Sequence, residues 1–313
     1  MALNKTKTYE LKSVAVIGAG AVGSFYGAKL QSYGLKVQYQ SKTSASALKR
    51  KKLKIKSIWG DFSLKAQCFE STNEMTPADL ILVSSKVLPE IDLSKNIKPL
   101  LHKNSVIMLM QNGINEEEKL AKKIKNNSIL GALAFTCIHR IKPHIINHLD
   151  YGLIRIGAVR KKDAKTAEYI AEIFNKAGIK ADSYFPLRQI RWQKLLWNVP
   201  FNALSVALGS VDTKKMTSNA DALSLVKQMM KEVQAIARAD KIKIPDSDIA
   251  AMIARTNKMA PYKTSMLLDF ENKNPMEIET ILGEPLKIAR AKNVNAPVMQ
   301  TIYHLLKTLE DKK

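Results

Sequence analysis

Near the N-terminus the spacing of apolar residues changes period. Ser13-Val14-Ala15-Val16-Ile17 is a short β-branched run, a glycine-spaced turn follows, and Ser24–Tyr33 carries helix-forming residues until Gly34. That order predicts strand, turn and helix, with a second strand over Lys36–Gln40. Farther on, Leu53–Ile58 and Phe62–Ala66 flank Trp59-Gly60-Asp61 as a hairpin. Asp79–Val83 and Ser105–Met110 have the length and apolar continuity of buried parallel strands. Ile129–Ile138, Ile145–Leu149 and Leu153–Ile156 extend this strand-rich half, followed by a helix over Asp163–Lys176 and a strand over Ile179–Tyr184.

From Phe185 onward a helical period takes over. It predicts helices over Leu187–Leu208, Ala220–Ala239, Asp246–Asn257, Asn274–Ala291 and Ala296–Leu309. Asn274 followed by Pro275 reads as an N-cap and first-turn pair. No repeat, low-complexity tract or long linker interrupts the chain. The expected boundary lies near Pro186, giving residues 1–185 and 186–313 as two domains.

The turn after the first strand is Gly18-Ala19-Gly20-Ala21-Val22-Gly23. Between a strand and a helix, G-x-G-x-x-G is a dinucleotide fingerprint: tight turn, close backbone approach to a pyrophosphate, and close helix packing. The fold class follows as α/β, a Rossmann-type dinucleotide-binding domain and then an all-helical domain. Chains that bind NAD place an acid at the end of the second strand, for the ribose 2′-OH. Here Ser41-Lys42-Thr43-Ser44 stands there without an acid. Lys42 would attract a 2′-phosphate, and Ser41, Thr43 or Ser44 could donate to it, so the sequence leans to NADP. Ser84-Ser85-Lys86 and Gln111-Asn112-Gly113 end the two buried strands, where ligands of doubly wound sheets bind.

Charge adds a rival. The chain carries a net charge of +22, and ten Lys or Arg but no acid lie between Leu11 and Gly60. Lys49-Arg50-Lys51-Lys52, Lys54 and Lys56 read as a solvated basic face that raises the local potential for an anionic cofactor. Such an excess also fits a basic nucleic-acid-binding or NADP-sensing protein, although no nucleic-acid motif accompanies it. Two cysteines, Cys68 and Cys137, fit a reducing cytoplasm. The segment from Met1 to Ser13 lacks the apolar core of a signal peptide, and the apolar runs are strand-length, so a soluble cytoplasmic protein with no membrane partner is expected. His139, His144 and His148 cluster without metal-ligand spacing, so no metal is expected.

Two polar groups stand out in the helical half. Lys194, Asn198 and Asn202 recur every fourth residue of a largely apolar segment, which aligns them in one stripe. Buried polar groups cost several kcal/mol unless partnered or facing a wet cleft. Pro200 is expected to bend this helix between the asparagines. The second group spans Ser265-Met266-Leu267-Leu268-Asp269 and Glu277-Ile278-Glu279. Helical periodicity alone does not choose between Glu277 and Glu279, which lie about 100° to either side of Ile278.

Together these residues resemble the ketopantoate reductase family (2-dehydropantoate 2-reductases) over nearly the whole chain. The resemblance rests on the glycine motif, Asn112-Gly113, the Lys194-x3-Asn198-x3-Asn202 stripe, and Ser265-Met266-Leu267-x-Asp269 with Glu277-Ile278 and Gly283. It implies NADPH-dependent reduction of 2-dehydropantoate to pantoate, toward pantothenate and coenzyme A. It implies Lys194 as the general acid and Glu277, twelve residues after Ser265, as the group orienting the substrate. Ser265 would hold the substrate carboxylate, and Asn198 and Asn202 its hydroxyl and carboxylate ends. Asn112 would sit at the nicotinamide side, and Lys86 would face the cofactor. Lys42 matches the position that reads the 2′-phosphate, where the family commonly has arginine; lysine keeps the charge but loses the planar fork. Reduction of another branched 2-oxo acid is the nearest alternative. The large helical faces of the second half suit a homodimer.

Overall fold

The computed structural model describes residues 10–87 and 91–311; residues 1–9 of the N-terminal segment considered above lie outside the described residues. The β-branched run forms β1 (Ser13–Ile17), whose Val14 to Ile17 are buried. α1 (Ala21–Ser32) follows the glycine turn, then β2 (Lys36–Gln40) pairs parallel with β1. Next come α2 (Ala45–Arg50) and the antiparallel hairpin β3 (Leu53–Ser57) and β4 (Phe62–Leu64). They are followed by β5 (Gln67–Phe69), β6 (Leu80–Val83), α3 (Leu93–Ile97), β7 (Val106–Leu109) and α4 (Glu116–Lys123). The long strands β8 (Ser128–Lys142) and β9 (Ile145–Ala158), then α5 (Ala164–Lys176) and β10 (Ala181–Tyr184), complete this half.

The ten strands described join one sheet in the order β4-β3-β9-β8-β7-β6-β1-β2-β5, with β10 added beside β9. The run β8-β7-β6-β1-β2 is parallel throughout. All four residues of β6 and of β7 are buried, as strands covered on both faces require. Ile145–Leu149 and Leu153–Ile156 are one strand rather than two. The chain passes through left-handed backbone at Tyr151 (φ 58°) and Gly152 (φ 118°), and β9 keeps its pairing with β8 across these register shifts.

The contacts divide the chain into two units: residues 10–111 with 117–184, and residues 112–116 with 185–311. The second unit is helical: α6 (Leu187–Ala207), α7 (Thr213–Ser218), α8 (Ala220–Ala239), α9 (Asp246–Lys258), α10 (Ser265–Glu271), α11 (Glu284–Ala291) and α12 (Pro297–Asp311). α6 runs through Pro200 and buries Trp192, Leu195, Leu196, Val199 and Phe201 in the core of this unit, each contributing about 1.5–3 kcal/mol of burial.

One predicted helix is corrected. Residues 274–277 are not helical, and the helix opens at Ile278 with a π turn over Glu279–Gly283 before α11. The Asn274-Pro275 pair therefore does not begin the helix. Asn274 N–H donates to Asp269 O at 2.8 Å and Met276 N–H to Glu310 Oε1 at 2.7 Å, which holds this stretch off the helix and leaves Glu277 at its threshold.

Candidate active site

In the first unit the ends of β1, β6 and β7 are laced together. Ser84 Oγ donates to Gly18 O at 2.8 Å, and Gln111 Nε2 donates to Ser85 O at 2.7 Å. A Cβ on Gly23 would lie 2.1 Å from Ser84 Oγ and 2.7 Å from Gly18 O, so only glycine lets α1 approach the strand this closely. A Cβ on Gly20 would meet only Gly18 O at 3.9 Å, leaving that backbone face open. The first turn of α1, which includes Ala21, Val22 and Gly23, carries no acidic residue. Ala19 is buried, its N–H held by Gln40 O at 2.8 Å. An open backbone face at the start of a twelve-residue helix fits a pyrophosphate. Lys42 is exposed directly after β2, and Lys86 is half-buried after β6. Of the hydroxyls beside Lys42, Ser41 and Ser44 are buried and Thr43 is exposed.

The second unit brings together the polar residues of the helical half. Asn112 Nδ2 donates to Glu277 Oε2 at 2.8 Å. The closeness of this loop depends on Gly113 (φ 92°), where a Cβ would fall 2.4 Å from Thr280 O. Glu279 faces elsewhere: its Oε1 accepts from Tyr303 Oη at 2.7 Å and lies 3.5 Å from Lys307 Nζ. The two glutamates that periodicity left equal are thus in different surroundings.

Lys194 keeps some exposed surface, yet crowding by protein atoms is the largest influence on its amine. Burial and the Arg191 guanidinium lower its pKa from 10.5 to about 7, and the Glu277 carboxylate opposes them. Arg191 is 3% exposed and lies one helical turn before Lys194. The sequence reading missed it, although i,i+3 spacing signals two cations on one face.

Asn198 is 6% exposed and Asn202 2%. Asn202 commits both ends of its amide within the protein. Its Oδ1 accepts from Ser265 Oγ at 3.3 Å and from Met266 N–H at 3.2 Å, and its Nδ2 donates to Asn198 O at 3.0 Å. Ser265 itself is exposed at the start of α10. A third hydrogen bond, between Ser205 Oγ and Thr264 Oγ1 at 2.7 Å, ties the same turn to α6.

Residues 14–161 match the family described as ketopantoate reductase PanE/ApbA, and residues 186–310 match its C-terminal part. The chain belongs to the ketopantoate reductase family. Ketopantoate reductases are NADPH-dependent oxidoreductases, and the chain is an enzyme of that kind. A 2-dehydropantoate 2-reductase from Nostoc sp. is 34% identical over 305 residues, covering 96% of this chain and 95% of the relative. Among solved structures, the 2-dehydropantoate 2-reductase of Geobacter metallireducens GS-15 superposes with a TM-score of 0.89 at 32% identity, covering 96% of this chain and 99% of that one. The enzyme of that name from Methylococcus capsulatus superposes with a TM-score of 0.86 at 34% identity, covering 96% and 97%.

Proposed function

We propose that this ketopantoate reductase reduces 2-dehydropantoate to pantoate with Lys194 as the general acid and Glu277 as the group that orients the substrate. One observation carries the assignment of roles. Glu277 accepts from Asn112 at 2.8 Å and also acts electrostatically on Lys194, whose pKa is brought to about 7. When bound, NADPH supplies the hydride to the carbonyl carbon.

The chain's own residues do the rest. An ammonium with a pKa near neutrality is a stronger acid than an ordinary lysine. It therefore gives up its proton more readily as the carbonyl oxygen gains negative charge. The Glu277 carboxylate accepts from the substrate hydroxyl, oriented by the Asn112 amide. Ser265 turns its single O–H from Asn202 Oδ1, 3.3 Å away, to donate to the substrate carboxylate, and Asn198 contributes a further polar contact. Asn202 serves as a positioning residue, because its amide is occupied by Met266 N–H and Asn198 O and so fixes the start of α10 that carries Ser265. Gly18, Ala19, Gly20, Ala21, Val22 and Gly23 hold the pyrophosphate. Lys42 reads the 2′-phosphate, Lys86 faces the cofactor, and Asn112 lies on the nicotinamide side.

In this reading residues 1–185 form the NADP-binding domain, apart from 112–116, which group with the helical unit, and residues 186–313 form the substrate domain. The protein works in the cytoplasm, where Cys68 and Cys137 remain free thiols, and it pairs as a homodimer through its helical faces. No helix among the described residues is long and apolar enough to cross a membrane.

The test is NADPH oxidation by purified protein with 2-dehydropantoate, alongside other branched 2-oxo acids and NADH. Turnover confined to 2-dehydropantoate with NADPH is expected. Turnover only on another oxo acid would discard the substrate. Tight NADPH binding without turnover on any of them would discard the catalytic reading.

A further inference from the structure

The turn after β2 gathers more positive charge than its own residues supply. Ser41 Oγ accepts from Ser44 N–H at 3.1 Å and Ser41 O accepts from Ala45 N–H at 3.2 Å, which fixes residues 41–44 as a tight turn with Lys42 exposed on it. Arg140, ninety-six positions away near the end of β8, donates from Nη1 to Ser44 Oγ at 2.8 Å. Ser44 is fully buried, so the guanidinium is anchored to a fixed point while Arg140 stays exposed. Arg140 pairs with Ile146 of β9 immediately before a register shift, and irregularities of this kind redirect side chains. Among the described residues no carboxylate pairs with Arg140 or with Lys42.

We propose that Arg140 is a second determinant of NADPH specificity, binding the cofactor's 2′-phosphate together with Lys42. This rests on the NADPH reading above and deepens it. A 2′-phosphate carries nearly two negative charges and several acceptor oxygens, so two cations of different shape suit it better than one. Lys42 gives a point charge. Arg140 gives the planar fork that lysine lacks, from a different strand. Its anchor on Ser44 reduces the side-chain freedom lost when the phosphate binds.

The test compares two probes that differ only by the 2′-phosphate, adenosine 2′,5′-bisphosphate and 5′-AMP. Binding to the full chain is measured by calorimetry for the wild type, Arg140→Gln and Arg140→Lys. Arg140→Gln should weaken the bisphosphate by about tenfold to a hundredfold and leave 5′-AMP unchanged, the usual range for a charge-assisted contact. Arg140→Lys should restore part of the loss, which also guards against misfolding as the cause. Equal weakening of both probes would make Arg140 only a brace for the turn and overturn the proposal. So would no change for either. If the wild type binds both probes alike, the NADPH reading itself fails, and that result needs no variant.

Discussion

The pH dependence of reduction puts the role of Lys194 most directly at risk. As a general acid it acts only when protonated, and its pKa is lowered to about 7 by burial and by Arg191, against the pull of Glu277. The rate constant kcat/KM for reduction should therefore be flat below pH 7 and fall about tenfold per pH unit above it, to about one hundredth at pH 9. A lysine at the ordinary 10.5 would hold its plateau across that range. The neighbours then predict shifts of opposite sign. Glu277→Gln removes the group that raises the pKa and should move the falling limb toward acid by roughly one pH unit or more. Arg191→Gln removes a group that lowers it and should move the limb toward base. Oxidation of pantoate needs the neutral amine and should rise with pH over the same window. The assay is initial-rate NADPH absorbance from pH 5.5 to 9.5, with the limb position fitted for each protein. A profile flat to pH 9, or two variants shifting the same way, would refute the reasoning.

The same lowered pKa makes Lys194 a stability cost: the unfolded chain holds a proton between about pH 7 and 10.5 that the folded chain gives up. Stability should thus be lost as pH falls through that window, and Lys194→Met should gain about 1–2 kcal/mol at pH 7 in urea titrations while losing about 10²–10⁴ in kcat; a destabilised variant would count against the burial argument. At the glycine turn, Gly23→Ala should lower Tm sharply because its Cβ would lie 2.1 Å from Ser84 Oγ, whereas Gly20→Ala should keep Tm and weaken NADPH binding. Equal Tm losses would undo that contrast. Glu279→Gln should retain turnover, and Glu277→Gln should lower it by about a hundredfold while leaving enough to record its pH profile, since of the two only Glu277 touches Asn112 and acts on Lys194; steady-state kinetics of the pair decides this.

The features legible in the sequence are local ones. β1, the glycine turn, α1 and β2 lie within thirty residues, and the Lys194–Asn198–Asn202 stripe within a single helix, so period and spacing reveal them. The short helices α2, α3, α4, α7 and α10 escape because few turns give too little periodicity to stand above the background. Asn274-Pro275 carries a good local helix-start signal, but hydrogen bonds donated by Asn274 N–H to Asp269 and by Met276 N–H to Glu310 override it. The choice between Glu277 and Glu279 is invisible to periodicity because it depends on Asn112, 165 positions away. The committed amide of Asn202 is likewise a tertiary fact, since its partners Ser265 and Met266 lie on another helix.

The segment 112–116 has a consequence for how such a protein can be taken apart. Its Ile114 is 1% exposed in the core of the helical unit, and Asn115 bridges Arg188 and Glu284 within that unit, yet both are encoded between β7 and α4. A fragment starting at residue 186 would lack Ile114 and expose the space it fills, a loss of about 2–5 kcal/mol by analogy with large-to-small core changes. It would also lack Asn112. The two halves are therefore not exchangeable at a single cut: a recombination that brings in a new helical half must bring its matching five-residue insert to a second place in the gene.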